Sequence, residues 1–344
     1  MPHRDNNPTG QYHALMEDIL DNGIHCENRT GIDTHSVFGR VMRFNISNGQ
    51  VPLLHSKKVF TKGIFHELIW MLSGDTNIRY LKQHGVNIWD SWVKKGTEEY
   101  DAEGKLVAGE LPKIYQHQWR RWMDTRVVPV NQQAEYELVG FQTIGSFEGI
   151  DGDEEAQCVM RREIDQIQNL VDKLRNKPDD RRIILSAWNV AEIEEMALPP
   201  CHLLLHLKPY KLGLTERKAI AEERDIPLEQ VATHRLSGLL YQRSADVPIG
   251  APFNIVQYSL LIQMLAHVTN METGEFVWVG GDCHVYEDQV STANQQLARP
   301  TEGPYTPRIV LNPEVKDIFD FTIDDIQVVD YHPQPAIKYP AAAV

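Results

Sequence analysis

Residues 196–207 read MALPPCHLLLHL, two prolines and a cysteine running into an apolar stretch that stops at Lys208. Proline fixes its own φ and cannot continue a helix, so Pro199 and Pro200 make a rigid approach, and the short apolar run behind them reads as a buried strand. Cys201 then stands at a strand entrance. Working outward, RIILSAW (182–188), LSGLLYQ (236–242) and FVWVGG (276–281) have the same extended character as LLLHLK (203–208). Helical spacing governs other segments. In QYHALMEDILDNG, Tyr12, Leu15, Met16, Ile19 and Leu20 form one stripe and Asn22-Gly23 supplies a stop. Ile64, Leu68, Met71 and Leu72 share a side of a second helix, and 163–175 and 257–268 read as two more. Strands and helices do not alternate regularly, which predicts a mixed α+β domain with helices packed largely on one face of a sheet, not a doubly wound parallel sheet.

With 344 residues and 42% hydrophobic content the chain can bury one large core, and no internal repeat or low-complexity linker divides it. A single domain over 1–344 is the expectation. Two stretches read as surface additions to it: 123–158, irregular and carrying the acidic run Asp151, Asp153, Glu154 and Glu155, and 211–234, with a charge-rich helix candidate opened by a Thr215 cap. The start, MPHRDNNPTG, lacks the pattern of a signal peptide, and no run of eighteen apolar residues occurs, so a cytoplasmic location is expected. Four scattered cysteines, Cys26, Cys158, Cys201 and Cys283, lack zinc-like spacing and read as free thiols; no metal site is expected. A formal charge of −14 argues against a nucleic-acid or anionic-membrane partner, so any anion site must be built from a few placed arginines.

Candidate chemistry centres on Cys201. A lone cysteine is most often a buried packing residue. What turns one into a nucleophile is nearby positive charge that stabilises its thiolate, and Arg181-Arg182 upstream and Arg243 downstream can supply it. The same arginines, with the Ser244 hydroxyl, suit a phosphomonoester, which makes a nucleoside monophosphate the natural ligand. Glu67 sits in a helix among apolar side chains, where desolvation raises a carboxyl pKa and suits a general acid. In GGDCHVY, alternation places His284 and Tyr286 on one face, where imidazole and phenol can grip a hydroxyl.

Taken in order, NRTG (28–31), HELIWMLSGDTNI (66–78), IWDSW (88–92), YQHQWR (115–120), DRRIILSAWN (180–189), MALPPCH (196–202), LYQRSADVPIGAPFNI (240–255), GGDCHVY (280–286) and the terminal PAIKYPAAAV resemble the thymidylate synthase family over nearly the whole chain. The resemblance implies that family's fold, a large mixed sheet with helices mainly on one face and a homodimer formed sheet to sheet. It implies that Cys201 adds to C6 of dUMP, which makes C5 a carbon nucleophile toward the methylene of methylenetetrahydrofolate. Arg29, Gln242, Arg243 and Ser244 are then dUMP ligands of one subunit, and Arg181 and Arg182 reach in from the other. Asn254 reads uracil, and His284 and Tyr286 hold the deoxyribose hydroxyl. Asp246 bonds the pterin, Ile88, Trp89, Trp92, Ile249, Gly250 and Phe253 form the folate wall, and Lys57 stands near the glutamyl tail. Glu67 and Tyr115 organise proton transfer, and the last residues, Ala343 among them, close over the folate.

The chain departs from the family pattern at Pro112, Lys113 and Gln116 around Tyr115, and at Phe60, Gly238, Gln334 and Cys283; none of these removes a catalytic atom. Two same-site alternatives follow: a dUMP hydroxymethylase, in which water replaces hydride, and a silent nucleotide- or RNA-binding paralogue, against which the joint presence of Cys201, Glu67 and Asn254 argues. A Cys-His hydrolase built on Cys201-His202 fails because neighbours on a strand point to opposite faces.

Overall fold

The computed structural model describes residues 7–148, 155–303 and 305–340. Six strands make the main sheet: β1 (Ile24–Cys26), β2 (Thr34–Asn45), β3 (Ile184–Ser186), β4 (His202–Lys211), β5 (His234–Asp246) and β6 (Glu272–Tyr286), in the order β1-β2-β6-β5-β4-β3. Only β5 and β6 run parallel; the other pairs are antiparallel. Parallel neighbours need a crossover, and helix Gly250–Val268 supplies it. That helix is apolar around most of its circumference because it is packed on both sides, against β5 and β6 below and helix Thr61–Ser73 above. The N-terminal helix Pro8–Asn22, capped by the Asn7 side chain on the Gly10 N–H, adds Leu15, Met16 and Ile19 to the same connected core.

Strand alternation separates the two faces of the sheet. Leu240 is 0% exposed beneath the crossover helix, whereas its neighbour Leu239 is 37% exposed on the opposite face, alongside Ile184 at 40% and Val41 at 56%. The helix-covered and open faces match the one-sided arrangement expected from the sequence. Truncating Leu240→Ala leaves a void under the central strand; urea unfolding is expected to show a loss of roughly 2–5 kcal/mol, and a loss below about 1 kcal/mol would place the core elsewhere.

The first added stretch is more ordered than the sequence reading held, and the second holds the helix that was expected. Instead of being irregular, the described residues of 123–158 contribute to a three-stranded antiparallel sheet, Trp122–Pro129, Gln157–Ile164 and Gln142–Phe147, with Gln157–Ile164 in the middle. Val128, Phe141, Cys158 and Met160 form its own small core, so the inward residues Cys158 and Met160 alternate with Val159 and Arg161. Asp151, Asp153 and Glu154 lie outside the described residues. In the other stretch, helix Leu214–Arg224 starts after Gly213, and Thr215 falls within its first turn rather than capping it. Leu212, Ile220 and Val231 form a second satellite core there. All four cysteines are free thiols, and among the described residues no helix is long and apolar enough to cross a membrane.

Candidate active site

The Pro199-Pro200 approach delivers Cys201 to the start of β4, beside the C-terminal half of β5. Two anchors fix it there. The Cys201 N–H donates to the Tyr115 hydroxyl at 2.6 Å, and the Arg243 N–H donates to the Cys201 carbonyl at 2.7 Å. The Arg243 guanidinium bonds the carbonyls of Pro200 (2.9 Å) and Pro199 (2.8 Å) and lies 3.9 Å from the Cys201 sulfur. Trp188 packs against that guanidinium, 5.6 Å from ring centroid to Cζ.

A cavity of about 1030 Å³ opens here. Of the residues singled out from sequence, Arg29, Trp92, Cys201, Gln242, Arg243, Ser244, Asp246, Ile249, Gly250, Asn254, His284 and Tyr286 all line it. Their convergence follows from topology: β4 begins where the parallel strands β5 and β6 end, and the crossover helix begins there with Gly250 and Asn254.

Burial pushes the Cys201 thiol above its ordinary range, with Arg243, the Tyr115 hydrogen bond and Arg29 pulling the other way. Arg243 is in place beside the thiol, but in the isolated chain desolvation outweighs it, and Arg181 and Arg182 do not line the cavity of their own chain. The rate of Cys201 alkylation by iodoacetamide is accordingly expected to keep rising above pH 9. A plateau below pH 7.5 would mean a thiolate already formed.

Glu67 and Tyr115 stand behind the cavity, not in its lining. Glu67 accepts from the Trp89 indole at 2.8 Å and from the Gln257 amide at 2.7 Å. Burial raises its pKa to about 7 against both bonds, as its apolar setting in the sequence predicted. Tyr115 is stacked on His202, with ring centroids 4.1 Å apart, and Trp89 meets it edge-on. His202 also bonds the Tyr258 hydroxyl at 2.9 Å, and burial lowers its pKa to about 3, so it cannot serve Cys201 as a base.

A chain of amides orders the far wall. An indole N–H can only donate, so the Trp278 bond to Gln242 Oε1 (2.9 Å) turns the Gln242 amide nitrogen toward Asn254 Oδ1 (3.0 Å). Asn254 Nδ2 is then assigned as the donor for a ligand, with one Oδ1 lone pair left to accept. Asp246 accepts from the Ile249 N–H at 3.1 Å and from Gln289 at 3.2 Å; burial raises its pKa. His284 and Tyr286 meet edge to face, centroids 5.2 Å apart.

The remaining assignments separate. Ile249, Phe253 and Lys57 line a second cavity of about 390 Å³ with residues 336–340, while Ile88 packs on the core. Arg182 is exposed and paired with Asp180 at 3.0 Å. Ala343 lies outside the described residues. Among the departures, Lys113 pairs with Glu192 at 2.7 Å. Gln116 is 0% exposed, and neither of its amide atoms has a protein partner among the described residues. Gly238 faces Ile262, whose Cδ1 would lie 2.5 Å from an added Cβ, so the crossover helix fills the space a side chain would need.

Sequence reasoning missed Trp188 and Asp282 as lining residues. Asp282 accepts from the Ser36 hydroxyl and lies 3.4 Å from His284 Nδ1. Its position was legible, since 282, 284 and 286 share one face of a strand by the same alternation that selected the last two. Trp188 gave no such signal, because it lies beyond the end of β3. Among the described residues no group of three or more His, Cys, Asp or Glu is placed to hold a metal ion.

Against known proteins, the model of the family described as Thymidylate synthase matches residues 10–343. The chain belongs to the thymidylate synthase family. Proteins named Thymidylate synthase from three Coxiella burnetii strains, Dugway 5J108-111, RSA 331 / Henzerling II and RSA 493 / Nine Mile phase I, are each 38% identical to it over 335 residues, which is 96% of this chain and 99% of the relative. Membership of the thymidylate synthase family makes the chain a methyltransferase-type enzyme, with methylenetetrahydrofolate as the family's co-substrate. The apolar wall of Trp92 and Ile249 beside the half-buried Asp246 carboxylate suits a pterin ring, which offers a flat face and N–H donors.

Proposed function

We propose that this chain is a thymidylate synthase that reductively methylates dUMP to dTMP, with methylenetetrahydrofolate as donor of both carbon and hydride. The observation that carries the reading is the meeting of three groups in one cavity: the Cys201 thiol, the Arg243 guanidinium beside it, and an Asn254 amide whose orientation is set by Gln242 and Trp278. Arg29, Arg243 and Ser244 receive the phosphate, His284 and Tyr286 the deoxyribose hydroxyl, and Asn254 the O4 and N3 edge of uracil.

In the chemistry this supports, the Cys201 sulfur bonds to C6 and leaves C5 as a carbanion equivalent, which bonds to the folate methylene. Loss of the C5 proton and of the folate nitrogen gives an exocyclic methylene still attached through Cys201. Hydride from the departing tetrahydrofolate reduces it, sulfur leaves, and dTMP and dihydrofolate result. Glu67, with a pKa near neutrality, can hand a proton to the O4 side and take one back, relayed by solvent. A kcat profile with an ionisation near pH 7 is expected, and in Glu67→Gln that ionisation should disappear while kcat falls about 10²–10⁴-fold. An unchanged profile would move the proton role to another group.

Product analysis tests the central reading. Incubation with dUMP and methylenetetrahydrofolate should release dihydrofolate and a methylated nucleotide in equal amounts. A hydroxymethyl nucleotide without dihydrofolate would reject hydride transfer and leave the hydroxymethylase reading in force.

The active unit in this proposal is a homodimer. Support comes from the uncovered sheet face with Val41, Leu239 and Ile184, and from Arg181 and Arg182, which lie away from their own cavity and can complete a second copy's phosphate site. Mixing inactive Cys201→Ala with an inactive Arg181→Glu/Arg182→Glu variant should restore up to roughly a quarter of the activity, because one in four random sites then combines an intact thiol with intact arginines. No recovery on mixing would confine the site to one chain.

A further inference from the structure

Between Trp188 and Pro199 the chain forms no strand and only one short 3-10 turn, Ile193–Glu195, yet Ile193, Glu194, Ala197 and Leu198 from this stretch line the main cavity. A segment with so little backbone pairing opens easily unless side chains anchor it. Its two ends share an anchor in Arg243: Trp188 packs against the guanidinium, and the Pro199 carbonyl accepts from it at 2.8 Å. The middle is held by Glu192.

The Glu192 carboxylate collects three donors: the Lys113 ammonium at 2.7 Å on Oε1, and the Gln118 amide at 2.7 Å and the Asn189 amide at 3.2 Å on Oε2. An ionised carboxylate can only accept, so it turns the Gln118 amide nitrogen toward itself. Gln118 Oε1 then accepts from Asn189 Nδ2 at 3.1 Å, which leaves Asn189 Oδ1 to accept from the Ala191 N–H at 3.2 Å. Gln118 and Asn189 are both buried. Burial pushes the Glu192 carboxyl up, but the bonds from Gln118 and Lys113 and the Lys113 charge hold it below the usual carboxylate range. Of the three donors only Lys113 carries a full charge. It stands two residues before Tyr115, at one of the positions where the chain departs from the family pattern.

We propose that Lys113 is a positioning residue: through Glu192 it clamps the 189–198 wall to the approach and first turns of helix Tyr115–Arg120, and so fixes the apolar surface that Ile193 and Leu198 present to the cavity. This rests on the folate reading of the cavity and deepens it. The groups assigned to dUMP come from other elements, the Arg29 loop, β5, β6 and the crossover helix, whereas Ile193 and Leu198 extend the apolar lining of Trp92 and Ile249 that suits the pterin. Loosening the clamp is therefore felt by the folate and much less by the nucleotide.

Lys113→Met keeps most of the stem and removes the charge. It should raise KM for methylenetetrahydrofolate about three- to tenfold while kcat and dUMP affinity stay within about twofold of the parent. Lys113→Arg, which can still donate to the carboxylate, should restore most of the parent KM; this rescue separates a charged clamp from mere filling of space, which methionine would serve as well. Adding Lys113→Met to Glu192→Gln should cost little beyond Glu192→Gln alone, because the two side chains act as one pair. Amide hydrogen exchange across 189–198 in the ligand-free full-length protein reads the clamp without turnover, and Lys113→Met should speed it about three- to tenfold. Unchanged exchange in Lys113→Met overturns the clamp. Faster exchange with an unchanged folate KM overturns its role in the folate site, as does a loss of dUMP affinity as large as the rise in folate KM. Should the protein turn over no folate at all, the proposed function fails while the exchange result still decides the clamp, so the two failures remain distinct.

Discussion

Replacing Cys201 with alanine is expected to lower turnover by at least about four orders of magnitude while dUMP affinity changes no more than a few-fold, because the sulfur is the covalent partner whereas the phosphate, sugar and base contacts belong to other residues. The geometry makes the split clean. Arg243 is fixed by the carbonyls of Pro199 and Pro200, and the amide of residue 201 still donates to Tyr115, so removing one sulfur leaves the cavity wall in place. Equilibrium dialysis with labelled dUMP and single-turnover kinetics read the two quantities separately. Residual turnover within a hundredfold of the parent would place the nucleophile elsewhere. Lost binding with preserved fold would show that the thiol positions the nucleotide and does not only attack it.

The second large effect concerns base choice. Asn254→Asp should reverse much of the preference for dUMP over dCMP, moving the ratio of kcat/KM values by about 10²-fold or more. Asn254 Oδ1 accepts from Gln242, and that orientation makes Nδ2 the donor to a uracil O4. An aspartate in its place can only accept unless it is protonated, and it then meets the exocyclic amine of cytosine instead. The Trp278-Gln242 bond extends the argument: Trp278→Phe frees the Gln242 amide to flip and should loosen discrimination without creating a cytosine preference. Discrimination unchanged in Asn254→Asp would mean that the base is read by a different group, and the whole amide chain would then lose its assigned purpose.

Much of the site was legible because strands write their faces into the sequence. His284 and Tyr286 share a side of β6, and the same rule applied one step back would have added Asp282. Glu67 was legible from its apolar neighbours, and burial does raise its pKa. The burial of Lys57 was not legible: a lysine beside another lysine gives no sign of it, and only the distant Pro248 and Tyr339 withdraw it from water. The stretch 123–158 was read as irregular although Cys158 and Met160 alternate inward, since the central strand Gln157–Ile164 lies far along the chain from its first partner, Trp122–Pro129. Cys201 illustrates the limit most sharply. Its neighbouring arginine is in place, but how far burial opposes that charge depends on atoms brought together from segments far apart in the chain.

By itself, the sequence determined the residue types, their order, and which side of each strand or helix they share, because periodicity is set locally by backbone geometry. It also carried the family, through segments whose order and spacing match over almost the whole chain. Only the tertiary structure decided which of those residues meet. Hydrogen bonds such as Trp278 to Gln242 to Asn254, or Glu67 between Trp89 and Gln257, join positions up to 190 residues apart, and desolvation is a property of the assembled surroundings. Charge state and orientation at this site are therefore products of packing, while identity and register belong to the chain.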